Sequence, residues 1–310
     1  MQAIPDVQAD IHAAIDRVRQ AVRSAIHGKE EVVDLALVAV LAGGHLLLED
    51  VPGVGKTTLA ASLARALGGS FSRVQFTSDL LPGDVTGSPV LERASGELVF
   101  RPGPIFANVV LADELNRTSP KTQSALFEAM EEGTVTVDGT TRELPQPFFV
   151  VATQNPFDTA GTFALPDSQL DRFMMRLTLG YPSREAERAV LRNGRIRRAK
   201  GPVALSPEEA VLLQQACETV SVSLEVENYL LDLVEKTRTD ARFVRGASTR
   251  GSVALYRAVR AQALVGGRAY AVPEDVRDLA GPVLGHRVVA RSGDGDAAIR
   301  ALLLTLSSPV

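Results

Sequence analysis

Apolar residues at Ile11, Ile15, Val18, Val22 and Ile26 recur at helical spacing and predict an amphipathic helix, with Gly28 placed to end it. A second helix is predicted over residues 29–41. The pattern then breaks: residues 46–48 form a short apolar run without helical period, followed by a glycine-containing loop and a helix over 57–67. Strand, loop, helix is the opening of a parallel α/β unit. Further short runs, rich in branched or aromatic residues, lie at 73–76, 108–111 and 148–152. Near-continuous apolar strands of this kind suit a parallel sheet covered on both faces. A hairpin is predicted at 134–144, with Asp138-Gly139 as its turn.

After Tyr181-Pro182 no further strand pattern is convincing, and helical periodicity runs to the C-terminus. Ser183 opens a helix, and Ser206-Pro207-Glu208-Glu209 and Val272-Pro273-Glu274-Asp275 read as later helix starts with proline in the first turn. The expected architecture is an α/β domain over 1–180 and a smaller all-helical domain over 181–310. Residues 78–104 carry Gly83, Gly87, Gly96 and Gly103 and read as a loop-rich insertion between core strands. A segment so long is uncommon there unless functional, although surface loops without a dedicated role would look the same.

Composition narrows the classes without choosing among them. The 310 residues suffice for one large domain or two moderate ones, and 45% hydrophobic with 23% charged residues is ordinary for a soluble globular chain. A net charge of −4 argues against a protein whose main task is gripping nucleic acid. Cys217 is the single cysteine, so no intrachain disulfide forms, and its helical setting reads as core. The N-terminal segment lacks the basic and apolar regions of a secretory signal. The apolar run 35–42 is cut by Gly43 and Gly44, short of the ~20 residues a membrane helix needs. A soluble, cytoplasmic protein with no membrane segment is the expectation.

The strongest chemical signal is LLLEDVPGVGKTTLA. A strand feeds a tight loop, Pro52, Gly53, Val54 and Gly55, whose glycines let backbone N–H groups approach phosphate oxygens. Lys56 can reach the β and γ phosphates, the Thr57 hydroxyl can ligate Mg²⁺, and Thr58 continues the helix whose positive dipole end faces the anion. Asp50 stands where G-x-x-x-x-G-K-[ST] has its first glycine. The second signal is NVVLADELNR, an apolar strand ending in Asp113-Glu114 at the edge where α/β ligand sites lie. Asp113 suits Mg²⁺, and Glu114 suits polarising an attacking water. Alone, such a pair is usually a solvated turn; about fifty residues after GKT the functional reading wins. The third is VVATQNP, where the Asn155 amide can orient the lytic water or merely start an Asn-Pro turn.

The ordered set IHGKEEVV, DVPGVGKT, LADELNR, TQNP, LDRF and GASTR resembles AAA+ ATPases, most closely the MoxR family, over essentially the whole chain. The phrase DELNRTSPKTQSALFEAMEEGTVTVDG carries the most specific part of that resemblance. It implies a P-loop NTPase fold, a parallel sheet sandwiched by helices and followed by a small all-α lid. By the resemblance, Ile26, His27 and Gly28 begin the adenine pocket, Arg172 is an arginine finger serving a neighbouring subunit, and Arg250 is a lid arginine closing over the phosphates. Read from sequence alone, Arg172 is as simply a surface arginine paired with Asp171, and Arg117 is either an intersubunit contact or structural. The resemblance further implies ATP and Mg²⁺ as cofactors, a homo-oligomeric, hexameric ring, and chaperone-like remodelling or metal insertion. The implied clients are protein partners, among them von Willebrand factor A domain proteins. A low-turnover nucleotide switch and a metal-chelatase-type motor are the alternatives. A DNA-acting motor would need a DNA-binding element; the arginine-rich stretch 184–200 is the only candidate and is interspersed with Glu185 and Glu187.

Overall fold

The apolar runs fold as strands and the periodic segments as helices in the structure, a computed structural model that describes residues 7–26, 28–157, 161–193 and 201–307. His27 and residues 194–200 of the arginine-rich stretch lie outside the described residues. The chain opens with α1 (Val7–Arg23), α2 (Glu30–Leu41), β1 (Leu46–Glu49) and α3 (Lys56–Ala66). Next come β2 (Phe71–Gln75), α4 (Pro82–Thr86), β3 (Gly87–Leu91), β4 (Leu98–Pro102) and β5 (Val109–Asp113). They are followed by α5 (Pro120–Glu132), β6 (Thr134–Val137), β7 (Thr140–Glu143), β8 (Phe149–Gln154), α6 (Asp167–Leu170) and β9 (Met175–Leu177). The C-terminal part holds α7 (Arg184–Asn193), α8 (Pro207–Thr219), α9 (Leu224–Thr239), β10 (Phe243–Arg245), α10 (Thr249–Val265), α11 (Pro273–Leu284), β11 (Val289–Ala290) and α12 (Gly295–Leu303).

The main sheet has the order β2-β5-β8-β1-β9 and is parallel throughout. Its central strands are buried on both faces, so each contributes to two cores. Leu46, Leu48, Val109, Leu111 and Val151 face a core shared with α1, α2, α3 and the C-terminal helices, where Leu233, Leu255 and Leu279 are fully buried. Leu47, Val110, Ala112, Val150 and Ala152 face the opposite core, formed with Leu126 and Phe127 of α5 and with Phe173. The two-residue alternation of a strand thus explains why these runs read as continuously apolar. The first core has no break between sheet and helical part, so α/β and lid elements are joined by packing.

Several expectations change. The insertion 78–104 is not simply loop: it contains α4 and an antiparallel β3–β4 hairpin in register from Gly87–Pro102 to Leu91–Leu98. Two of its glycines, Gly87 and Gly103, serve close packing, since a Cβ at Gly87 would lie 2.4 Å from the Arg101 carbonyl and one at Gly103 would lie 2.3 Å from that of Val85. The C-terminal part is not wholly helical, because β10 and β11 pair as a short antiparallel ribbon. The first helix ends at Arg23, ahead of Gly28; Ile26 keeps the apolar period because it packs on the same core from the following turn. The β6–β7 hairpin forms as expected, with Asp138 and Gly139 both at positive φ, the conformation that an Asp-Gly hairpin turn requires.

Candidate nucleotide site

The loop between β1 and α3 sits at the carboxyl end of the sheet, where strand order reverses around β1 and ligand crevices form. Gly53 and Gly55 take φ of +87° and +108°, which an L side chain would resist. A Cβ at Gly53 would meet no atom within 4 Å, so the space before the loop is open to an anion. α3 begins at Lys56 with Gly55 as its cap, so its unpaired N–H groups face the same space. The Lys56 ammonium donates to the Asp50 carbonyl at 2.8 Å. Burial pushes its pKa below the ordinary lysine value, and the carboxylates of Asp113, Asp50 and Glu114 pull it back.

Asp50 is buried and earns its place where the motif has glycine. Its carboxylate accepts from the Val51 N–H at 3.0 Å and from the Gly180 N–H at 2.6 Å, tying the loop to the segment that leads into the helical part. The same seam carries Ile26, Gly28 and Lys29: a Cβ at Gly28 would lie 3.5 Å from the Ser183 hydroxyl, and Lys29 donates to the Tyr181 carbonyl at 2.7 Å. The predicted adenine residues, His27 apart, therefore lie beside that junction, which Asp50 in turn ties to the phosphate loop.

Asp113 ends β5. It accepts from the Thr153 hydroxyl at 2.6 Å and forms an ion pair with Arg73 at 2.6 Å. Glu114 follows in the left-handed region at φ 56°, a conformation uncommon for a residue with a side chain. Its N–H donates to the Thr153 hydroxyl at 2.9 Å, and its carboxylate accepts from Gln75 at 2.8 Å and pairs with Arg117 at 2.9 Å. Thr153, fully buried on β8, thus sets both acidic residues at once. Sequence reasoning missed Thr153 and Gln75 because each is an unremarkable polar residue in its own strand. Asn155 lies one residue past the Glu49–Gln154 pair of β1 and β8, and its side-chain oxygen accepts from the Phe157 N–H at 3.1 Å.

Arg172 and Arg250 are placed elsewhere, and together. Arg172 donates to the Phe127 carbonyl at 2.9 Å and pairs with Glu131 at 2.9 Å. Arg250, in the first turn of α10, reaches the other oxygen of Glu131 at 2.6 Å. Asp171, the partner that sequence suggested for Arg172, is held instead by Arg287 and Ser248. Among the described residues no hydrogen bond or ion pair joins Arg172 or Arg250 to Lys56, Thr57, Asp113 or Glu114.

Residues 45–175 match the model of the ATPase family associated with various cellular activities (AAA), and residues 235–302 match that of the AAA lid domain. The chain is 38% identical over 290 residues to Chaperone MoxR1 of Mycobacterium tuberculosis, covering 91% of this chain and 77% of that one. It belongs to the MoxR family of AAA+ ATPases. Protein MoxR of Paracoccus denitrificans is 30% identical, with 90% of each chain covered. The uncharacterized protein YeaC of Bacillus subtilis is 43% identical over 98% of this chain and 97% of its own length. A crystal structure of a Cytophaga hutchinsonii protein superposes with a TM-score of 0.89 at 33% identity, covering 98% of this chain and 97% of that one. As a MoxR-family member the chain is an ATP-hydrolysing P-loop protein with a parallel sheet and a lid. No helix among its described residues is long and apolar enough to cross a membrane.

Proposed function

We propose that this MoxR ATPase works in the cytoplasm as a closed ring, six subunits in size, with each ATP held between neighbours. One subunit supplies the loop from Pro52 to Thr58, the adenine-side residues Ile26, His27 and Gly28, and Asp113, Glu114 and Asn155; the next supplies Arg172 and Arg250. Lys56 would leave the Asp50 carbonyl for the β and γ phosphates, and Glu114, released from Gln75 and Arg117, would polarise the attacking water. The Thr57 hydroxyl and Asp113 carboxylate are hard oxygen donors of the kind Mg²⁺ takes, and the Asp113 charge acts on Lys56 of the loop. Bound with the nucleotide, Mg²⁺ would supply charge neutralisation on the phosphate oxygens.

The observation that carries this reading is the meeting of Arg172 and Arg250 on the single carboxylate of Glu131. Two guanidinium groups from distant parts of the chain converge on one anion and make no bond to their own phosphate loop. A γ-phosphate of a neighbouring subunit would replace that anion. Head-to-tail use of two different faces gives a ring where the rotation between neighbours closes. Hydrolysis would then move the lid and the β3–β4 and β6–β7 hairpins against a bound client. Client remodelling is supported by the relative named Chaperone MoxR1, and von Willebrand factor A domain proteins awaiting maturation or metal insertion are the clients we favour.

Mixing inactive variants tests the shared site. Lys56→Ala has a dead loop but intact arginines; an Arg172→Ala, Arg250→Ala double variant has the reverse. Mixed in equal parts they rebuild working sites at about a quarter of the interfaces in a random ring. Full turnover by the double variant alone, or no recovery on mixing, would sink the proposal. Glu114→Gln, which should hold ATP, then serves as the trap for capturing clients.

A further inference from the structure

Arg287 is a buried guanidinium that no motif points to. It follows α11 and directs every donor at the segment carrying Arg172 or at its own helix. Its Nε donates to the Asp171 carboxylate at 2.7 Å. One terminal nitrogen donates to the carbonyls of Asp171 at 3.0 Å and Phe173 at 2.5 Å, and the other to Met174 at 3.0 Å and to Val283. All five N–H groups of the fork are thereby used, and the planar fork fixes the backbone on both sides of Arg172. His286 adds a hydrogen bond to the Phe173 carbonyl at 3.0 Å. Asp171 completes the arrangement from the other side: its second oxygen accepts from the Ser248 hydroxyl at 2.7 Å, and Ser248 is the cap of α10, two residues before Arg250. Burial lowers the Arg287 pKa to about 10, so it stays charged at neutral pH.

We infer that Asp171 and Arg287 are positioning residues for the arginine pair: they fasten Arg172 to the helical lid so that Arg172 and Arg250 move as one unit. A buried ion pair with every hydrogen bond satisfied costs desolvation that a surface contact does not, and a hydrophobic pair could fill the same volume. What a hydrophobic pair could not do is hold the loop at 171–174 in one orientation against α10 and α11. Glu131 then serves as the counter-ion that both arginines grip until a phosphate replaces it. This inference rests on the proposal that Arg172 serves a neighbour's nucleotide.

Asp171→Asn keeps the side-chain shape but removes the charge, Arg287→Lys keeps the charge but loses the fork, and Ser248→Gly keeps a tolerated helix cap while removing the second donor. Each is made in the full chain, alone and with Arg172→Ala. Steady-state ATP hydrolysis, equilibrium ATP binding and melting temperature are measured for all. Asp171→Asn and Arg287→Lys should lower kcat roughly 10- to 100-fold, the scale of a small misplacement of a catalytic group. Ser248→Gly should do so to a smaller degree, and KM and ATP affinity should stay within about twofold of wild type for all three. Added to Arg172→Ala, none should slow turnover further. A wild-type kcat in Asp171→Asn or Ser248→Gly, or a further slowing of Arg172→Ala by the factor seen in wild type, would overturn the inference. Wild-type turnover by Arg172→Ala itself would instead remove the reading on which it rests.

Discussion

Replacing Asp50 by glycine restores the consensus of the phosphate loop, and on the structure it should make the protein less stable. The buried Asp50 carboxylate accepts the Gly180 N–H at 2.6 Å and the Val51 N–H at 3.0 Å. Hydrogen bonds to a charged acceptor contribute about 1.5–3 kcal/mol each and ordinary ones about 1 kcal/mol. Glycine adds about 0.5–1 kcal/mol of chain freedom to be lost on folding. Against this, the substitution removes a carboxylate that is only 6% exposed, and water can enter to satisfy one of the freed N–H groups. The balance is a loss of about 2 kcal/mol. Because one core runs from the sheet into the helical part, unfolding should be a single transition.

Urea unfolding followed by circular dichroism of the nucleotide-free protein reads this as a lower midpoint at unchanged slope. Asp50→Asn separates the causes: its amide can accept one of the two bonds but not both, so it should fall between wild type and Asp50→Gly. ATP binding should move the other way. Asp50 is among the carboxylates that face Lys56, and removing a negative charge beside a polyphosphate site favours the anion. A variant that loses stability while holding ATP at least as tightly is the expected signature. Asp50→Gly unfolding at the wild-type urea concentration would refute the account of why aspartate stands there.

Glu114→Gln should bind ATP normally and lower turnover by about 10²–10⁴-fold, the range of a lost general base; near-wild-type hydrolysis would remove Glu114 from that role. Thr153→Val, close in volume, should lose about 1–3 kcal/mol of stability in denaturant titration and lower turnover as well, since it leaves the half-buried Glu114 N–H without its acceptor and frees Asp113. Acid should destabilise the fold through His45, whose Nδ1 accepts from the Val150 N–H and whose Nε2 therefore donates to the Met130 carbonyl. Burial lowers its pKa from 6.5 to about 4, so the unfolded chain takes up a proton that the folded one excludes. Stability is full above about pH 6.5 and is lost as pH falls towards 4, by about 2 kcal/mol at pH 5 for this group. His286, also lowered by burial, acts in the same direction. Equal unfolding midpoints at pH 7.5 and pH 5 would contradict both assignments.

The nucleotide side of the site was legible in the sequence because its chemistry is local. Lys56 and Thr57 open α3 just after β1, and Asp113 and Glu114 stand at the end of β5, so short apolar runs next to them mark the carboxyl edge of the sheet. What was not legible depends on residues far apart in the chain. Arg287 meets Asp171 across more than a hundred positions, and Glu131 is an ordinary acidic residue near the end of an amphipathic helix until two arginines are folded onto it. β9 is a three-residue strand only because β1 offers it a partner. The insertion misled for a different reason. Gly87 and Gly103 punctuate the sequence as loop residues do, yet here they let two backbones pass at a distance no Cβ would allow.

The placement of Asp50 and Asp171 shows what the segment between them connects in this chain. Asp50 grips Gly180 at one end, and Asp171 is gripped by Arg287 at the other. Between them β9 is paired in register with β1, the strand that delivers the phosphate loop, and Arg176 on β9 reaches Glu49 at 3.2 Å and Asp294 of the lid at 3.0 Å. A strand of three residues spans about 10 Å and has little slack. A loop that shifts on filling with nucleotide therefore shifts Gly180, and with it the strand that leads back to Arg172. In the proposed ring, the carboxylate at position 50 would be the link through which one subunit's nucleotide acts on the arginines serving the next, a role that glycine, with no side chain, could not fill.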